Sequence, residues 1–128
     1  MLYGYKGVID KYFNDNWMHT PIQYDGILFV MPTSKEWVSI QLIPFSREDR
    51  SFGGGVNEEK GIIKIYTYGA SSTLSYLLAA KVQEFLDEIH INDLFVNVGY
   101  PDGNGVISLH DGIYESLTLY KVEISTKK

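Results

Sequence analysis

Apolar residues follow two periods along this chain. Near the start, Leu2, Tyr5, Ile9, Tyr12 and Phe13 recur at three- and four-residue steps, so residues 2–16 read as a helix with one apolar stripe. Gly4 and Gly7 weaken it, each by up to ~1 kcal/mol relative to Ala. Asn14, Asp15 and Asn16 supply the stop. A second helix is predicted over residues 71–89. Ser71, Ser72 and Thr73 signal its N-cap. Leu74, Leu77, Leu78, Val82, Phe85, Leu86 and Ile89 make its apolar face, interrupted only by Lys81.

Between and after the helices the period drops to two. Thr20 precedes Pro21 and is pushed out of the helical region, so residues 21–24 are extended. Asp25 and Gly26 form a turn. Residues 27–31 read as a short strand broken by Pro32, Thr33 and Ser34. Over residues 37–43, Val38, Ile40 and Leu42 alternate with Ser39 and Gln41, the pattern of a half-buried strand, and Pro44 ends it. Residues 61–68 form a strand rich in β-branched and aromatic side chains. Residues 95–100 form another. Residues 101–105, from Pro101 to Gly105, are a turn, and residues 113–125 are the last strand. Its apolar positions change parity between Leu117 and Leu119 on one side and Val122 and Ile124 on the other, which calls for a bulge near Tyr120 or burial on both faces.

Residues 45–60 fit neither period. They carry Arg47, Glu48, Asp49, Arg50, Glu58 and Glu59 around Gly53, Gly54 and Gly55. Segments longer than about 12 residues without regular structure are usually functional or disordered. The expectation is an oversized hairpin tip between the flanking strands, either solvated or ordered as an arm on a neighbouring subunit. The whole order, with helices and hairpins segregated, predicts an α+β fold. It comprises two layers: an antiparallel sheet of about four to five strands packed with two helices, in a single domain over residues 1–128.

Composition narrows the function classes. The 128 residues, 45% hydrophobic and 21% charged, suffice for a core without a disulfide or metal staple. The absence of cysteine removes thiol catalysis and thiolate metal sites. A net charge of -5 argues against nucleic acid or anionic lipid as the main partner, since both need a cationic footprint. No apolar run approaches the ~20 residues that span a bilayer, and the first residues lack the order of a signal peptide. The default compartment is therefore the cytoplasm. Ten Tyr and six Phe are many for this length and point towards a sheet-rich interaction protein. Tyr3, Tyr5, Tyr12, Phe13 and Trp17 serve either core or interface.

No local motif carries chemistry. His19, His90 and His110 are not spaced for a metal on one helix. His90 lies near Asp87 and Asp93, but reads better as an imidazole complementing a helix C-terminus. Asp102 and Asn104 begin like a calcium loop that then fails at Val106 and Ile113, where oxygen ligands are needed. The glycines at 53–55 lack a phosphate-binding motif and are followed by Glu58 and Glu59. Gly69 to Thr73 lacks the second glycine of a nucleophile elbow. No catalytic, cofactor-binding or metal-binding residue is assigned, and no cofactor is expected.

One resemblance covers roughly residues 2–100 and, more loosely, the last strand. Trp17, Pro21, Ile22, Tyr24 and Asp25, followed by Phe29, Pro32 and the Glu36-Trp37-Val38 strand start, resemble tail terminator (tail completion) proteins, a minor tail protein family of long-tailed phages. The long charged loop, the strand Gly61 to Ile65 and the helix residues Leu78 to Phe85 continue the likeness. Gly26 stands where family members often have Asn, and Ala79, Ala80 and Lys81 lack the acidic residue common in that helix. The resemblance implies a non-enzymatic virion protein, assembled in the host cytoplasm. It forms a homo-oligomeric ring, typically a hexamer, that caps the head-proximal end of the tail tube and presents a surface for head attachment. Implied partners are other copies of the chain, the tail tube protein and the head–tail connector protein. DNA only passes through the lumen, and no membrane is involved. Arg47, Glu48, Asp49, Arg50, Phe52, Glu58, Glu59 and Lys60 are the expected subunit and partner contacts. The alternatives are a head–tail joining ring or a small bacterial ligand-binding domain or enzyme.

Overall fold

The computed structural model describes residues 4–49, 56–87, 94–96 and 99–127. Its elements are α1 (Gly4–Asn16), β1 (Ile22–Tyr24), β2 (Trp37–Asp49), β3 (Val56–Gly69), α2 (Ser72–Asp87), β4 (Leu94–Val96), β5 (Tyr100–Ser108), a short 3-10 turn (His110–Gly112) and β6 (Tyr114–Lys127). This is the α+β fold read from the sequence. The sheet order is β1-β2-β3-β6-β4, with β5 also paired to β6. Every pair is antiparallel except β1 with β2, which is parallel. All of β3 from Val56 to Gly69 is paired to β6, so β3 is the central strand.

Alternation along the strands assigns the two faces. Val38, Ile40 and Leu42 of β2, Ile63 and Ile65 of β3, and Tyr120 and Val122 of β6 are buried with Ile9, Phe13 and Trp17 of α1 and Leu78, Val82 and Leu86 of α2. The helices therefore cover one sheet face and close a single core. Ser71 caps α2, its hydroxyl accepting from the Leu74 N–H at 3.1 Å. The start of α2 is locked to the sheet by buried hydroxyls. Ser75 Oγ donates to the Thr67 carbonyl at 2.8 Å and lies 3.0 Å from Ser116 Oγ, while Thr67 Oγ1 donates to the Ser75 carbonyl at 3.0 Å. Gly69 makes this approach possible, since a Cβ there would sit 2.6 Å from the Ser75 backbone nitrogen.

Tyr120 is fully buried, and its hydroxyl has no hydrogen-bond partner among the described residues. Its ring packs so closely on Gly99 that a Cβ at that position would meet it at 2.3 Å. Burial first, then the charge of Asp87, pushes the Tyr120 phenol well above its ordinary value of 10. Tyr68 is raised likewise, by burial and by its hydrogen bond to Glu115. A phenol raised on folding holds its proton more tightly folded than unfolded. The associated stability is complete below about pH 10 and is lost as pH rises above that value. Two results are expected in urea titrations. Tyr120→Phe raises stability by about 1 kcal/mol at pH 7, because it deletes an unpaired buried hydroxyl. The double variant with Tyr68→Phe also flattens the loss between pH 9 and 11; an unchanged alkaline slope would refute the assignment.

Several sequence expectations are corrected. Residues 27–31 form no strand; the Asp25-Gly26 turn, with Gly26 at φ +79°, leads them away from the sheet. Pro44 does not end β2. The strand passes it through a register shift between Pro44 and Ser46 and runs on to Asp49. Pro44 is tolerated because β1 pairs only Val38 to Ile40, so no strand needs its missing N–H. Residues 101–105 are not a free turn but part of β5, where five steps from Pro101 to Val106 answer two on β6, with Gly105 at φ +64°. No bulge occurs near Tyr120 in the β3–β6 ladder. Leu117 and Leu119 simply belong to the sheet face away from the helices, half-buried. On α2 the buried residues are Ser75, Leu78, Val82 and Leu86, which leaves Leu74 and Leu77 exposed. Leu2, Tyr3, Ile89, His90 and Asp93 lie outside the described residues.

Candidate subunit-docking surface

The charged segment 45–60 is mostly strand. β2 and β3 continue their ladder well past the core, pairing Ser46 with Lys60, Arg47 with Glu59, Glu48 with Glu58 and Asp49 with Asn57. On its other side β3 pairs Lys60 with Glu123 and Val56 with Lys127 of β6. The expected oversized loop is thus corrected to a three-stranded ribbon, because β6 supplies a second ladder that carries the charged residues into the sheet. Of the predicted contact residues, Arg47, Glu48, Asp49, Glu58, Glu59 and Lys60 are brought together on this ribbon. Arg50 and Phe52 lie outside the described residues.

The Lys60 ammonium lies 3.9 Å from Glu123 Oε1 at a partly exposed position, and such a pair contributes little. Beyond Ile40 no described strand pairs with the outer edge of β2. Among the described residues the backbone donors and acceptors of that edge have no strand partner, which makes it a template for a strand from another chain.

Two further surfaces escaped the sequence reading. On the sheet face away from the helices, Trp37 stacks on Tyr68 with centroids 4.1 Å apart, Tyr66 continues the row at 6.4 Å, and Phe29 leans on Trp37 at 5.9 Å. The Trp37 indole N–H donates to Gln23 Oε1 at 3.3 Å. The period-two pattern of β2 and β3 places these aromatics opposite the core, and their number was the only sequence signal. A cleft of about 410 Å³ opens beside this row, between Tyr66, Gln41 and the 23–28 backbone. The second surface is the run 27–31 itself. Leu28 is 95% exposed, Val30 84% and Ile27 62%. Five consecutive apolar residues between Gly26 and Pro32 carried the signal, and the expectation of a short strand obscured it.

At the opposite end of the sheet, α2 and the irregular part of β5 leave a groove of about 560 Å³, lined by Tyr76, Ala79, Ala80, Pro101, Val106 and Leu117 among others. Among the described residues no three metal-ligating side chains converge, and no helix is long and apolar enough to cross a membrane.

No family model matches the chain, and no curated protein matches it. Eleven solved chains match. One of them, whose name states no function, is 13% identical with a TM-score of 0.60, over 93% of this chain and 94% of its own. At that identity the likeness shows the fold alone.

Proposed function

We propose that this chain is a ring-forming assembly protein of a phage tail. In this reading, copies arranged head to tail cap the head-proximal end of the tail tube, end its polymerisation and present the surface that receives the head. The ring is a hexamer by the family resemblance, and the protein is a virion component with no catalytic role. The observation that carries the reading is the three-stranded charged ribbon. It extends a fully paired central strand beyond the core and keeps a free edge, a form suited to reaching a neighbouring subunit. A cyclic assembly closes by rotation through such heterologous contacts. The net charge of -5 suits a lumen through which DNA slides without adhering.

Electron microscopy of tails assembled with and without the protein tests this. Overlong, headless tubes in its absence support capping. Tails of normal length with detached heads point to a joining ring instead. A ring lumen lined mainly by Lys and Arg would overturn the role given to the charge.

A further inference from the structure

We infer that the exposed run 27–31 of one copy seats in the groove between α2 and β5 of a second copy. This deepens the ring reading and rests on it for the identity of the occupant. Among the described residues the run is a ridge that pairs with no strand: Ile27, Leu28 and Val30 stand in solvent, with Met31 also exposed. Together they present on the order of 500 Å² of apolar surface. That is near the most a monomer ordinarily leaves uncovered, and approaches the roughly 800 Å² per partner of a stable interface. The neighbouring Asp25-Gly26 turn and the Pro32 to Lys35 turn, the latter closed by the Lys35 N–H to the Pro32 carbonyl at 3.1 Å, fix both ends of the run.

The groove is the complementary shape. Ala79, Ala80, Gly99 and Gly105 keep its walls low, Pro101 and Val106 contribute apolar lining, and exposed Tyr76 borders it on α2. A chain cannot fill its own groove. The run follows β1 at one end of the sheet, and β5 lies at the other, with β2, β3 and β6 between. Four strand spacings put them ~19 Å apart. Ridge and groove are therefore different patches of one molecule, and joining them between copies gives a heterologous contact. Such a contact repeats from copy to copy and closes when the rotation allows.

The chain has no cysteine, so single thiols report on the contact. Leu28→Cys and Ala80→Cys are each placed at accessible positions. Mixed and treated with a short bismaleimide, the two variants should give a covalent dimer at least tenfold faster than either variant alone. The double variant should give a ladder of multimers. Leu28→Asp should weaken self-association by light scattering at least tenfold, with the thermal midpoint unchanged. Leu28→Cys linking to itself as fast as to Ala80→Cys would show a like-with-like contact and overturn the inference. So would no linked product, or association indifferent to Leu28→Asp. If linked multimers form but leave tail length unaltered, the contact stands and the tail reading falls. If tails are capped normally by Leu28→Asp, the reverse holds.

Discussion

Replacing residues 47–59 with Asn-Gly yields a folded protein that no longer assembles. Ser46 and Lys60 are directly paired across β2 and β3, so a two-residue type I′ turn closes the ladder at that rung. The side chains of the core cluster all lie outside the deleted stretch. The thermal midpoint should therefore stay within a few degrees of the parent, which corresponds to about 1 kcal/mol. Ring formation and tail capping should vanish, because the ribbon and its free edge are gone. Circular dichroism with light scattering and tail microscopy read the two halves separately. A shortened protein that still caps tails removes the ribbon from the mechanism. One that fails to fold shows instead that the ribbon belongs to the core.

The largest loss of stability is expected from Phe13→Ala. Phe13 is fully buried, with its ring 4.7 Å from Phe85 and 5.9 Å from Trp17, and Phe85 also meets Trp17 at 5.2 Å and Tyr12 at 4.7 Å. This cluster joins α1 to α2. A helix of 13 residues is marginal alone, so α1 persists through that contact. Emptying the site costs about 3–5 kcal/mol, out of a total on the order of 5–15. The thermal midpoint should fall by roughly 10–20 °C. Near-ultraviolet dichroism should lose the Trp17 signal before the sheet unfolds. A loss under about 1.5 kcal/mol would mean that the core refills the space.

The elements whose burial follows their own period were legible in the sequence. α1, α2 and the core half of β2 and β3 appear where the spacing of Ile9, Phe13, Val38, Ile40, Leu78 and Val82 put them. Failures occurred where a partner decided the outcome. Pro44 looks like a terminus until one knows that its strand edge is vacant. Residues 56–60 become strand because β6, far downstream, pairs with them, and residues 46–49 follow by pairing with that stretch of β3. Ile27 to Met31 has strand composition but pairs with no strand among the described residues. Leu74 and Leu77 extend the apolar face of α2 in sequence, yet the buried line of that helix runs through Ser75, Leu78, Val82 and Leu86 and leaves them outside. Of the docking surface, the charged segment was legible as a candidate; its form, the aromatic row and the groove were not, since each needs strands brought together from distant positions.

The placement of β6 has a kinetic consequence. β2 and β3 are adjacent in sequence and zip quickly, but β3 then waits with fourteen residues open on its far side until β6 arrives across α2, β4 and β5. Pairings of such long separation form slowly. During that interval the vacant side of β3 accepts the β6 of any nearby chain as readily as its own. Exchange of this final strand between molecules is the foreseeable misassembly, favoured by rapid refolding at high concentration and suppressed by dilution.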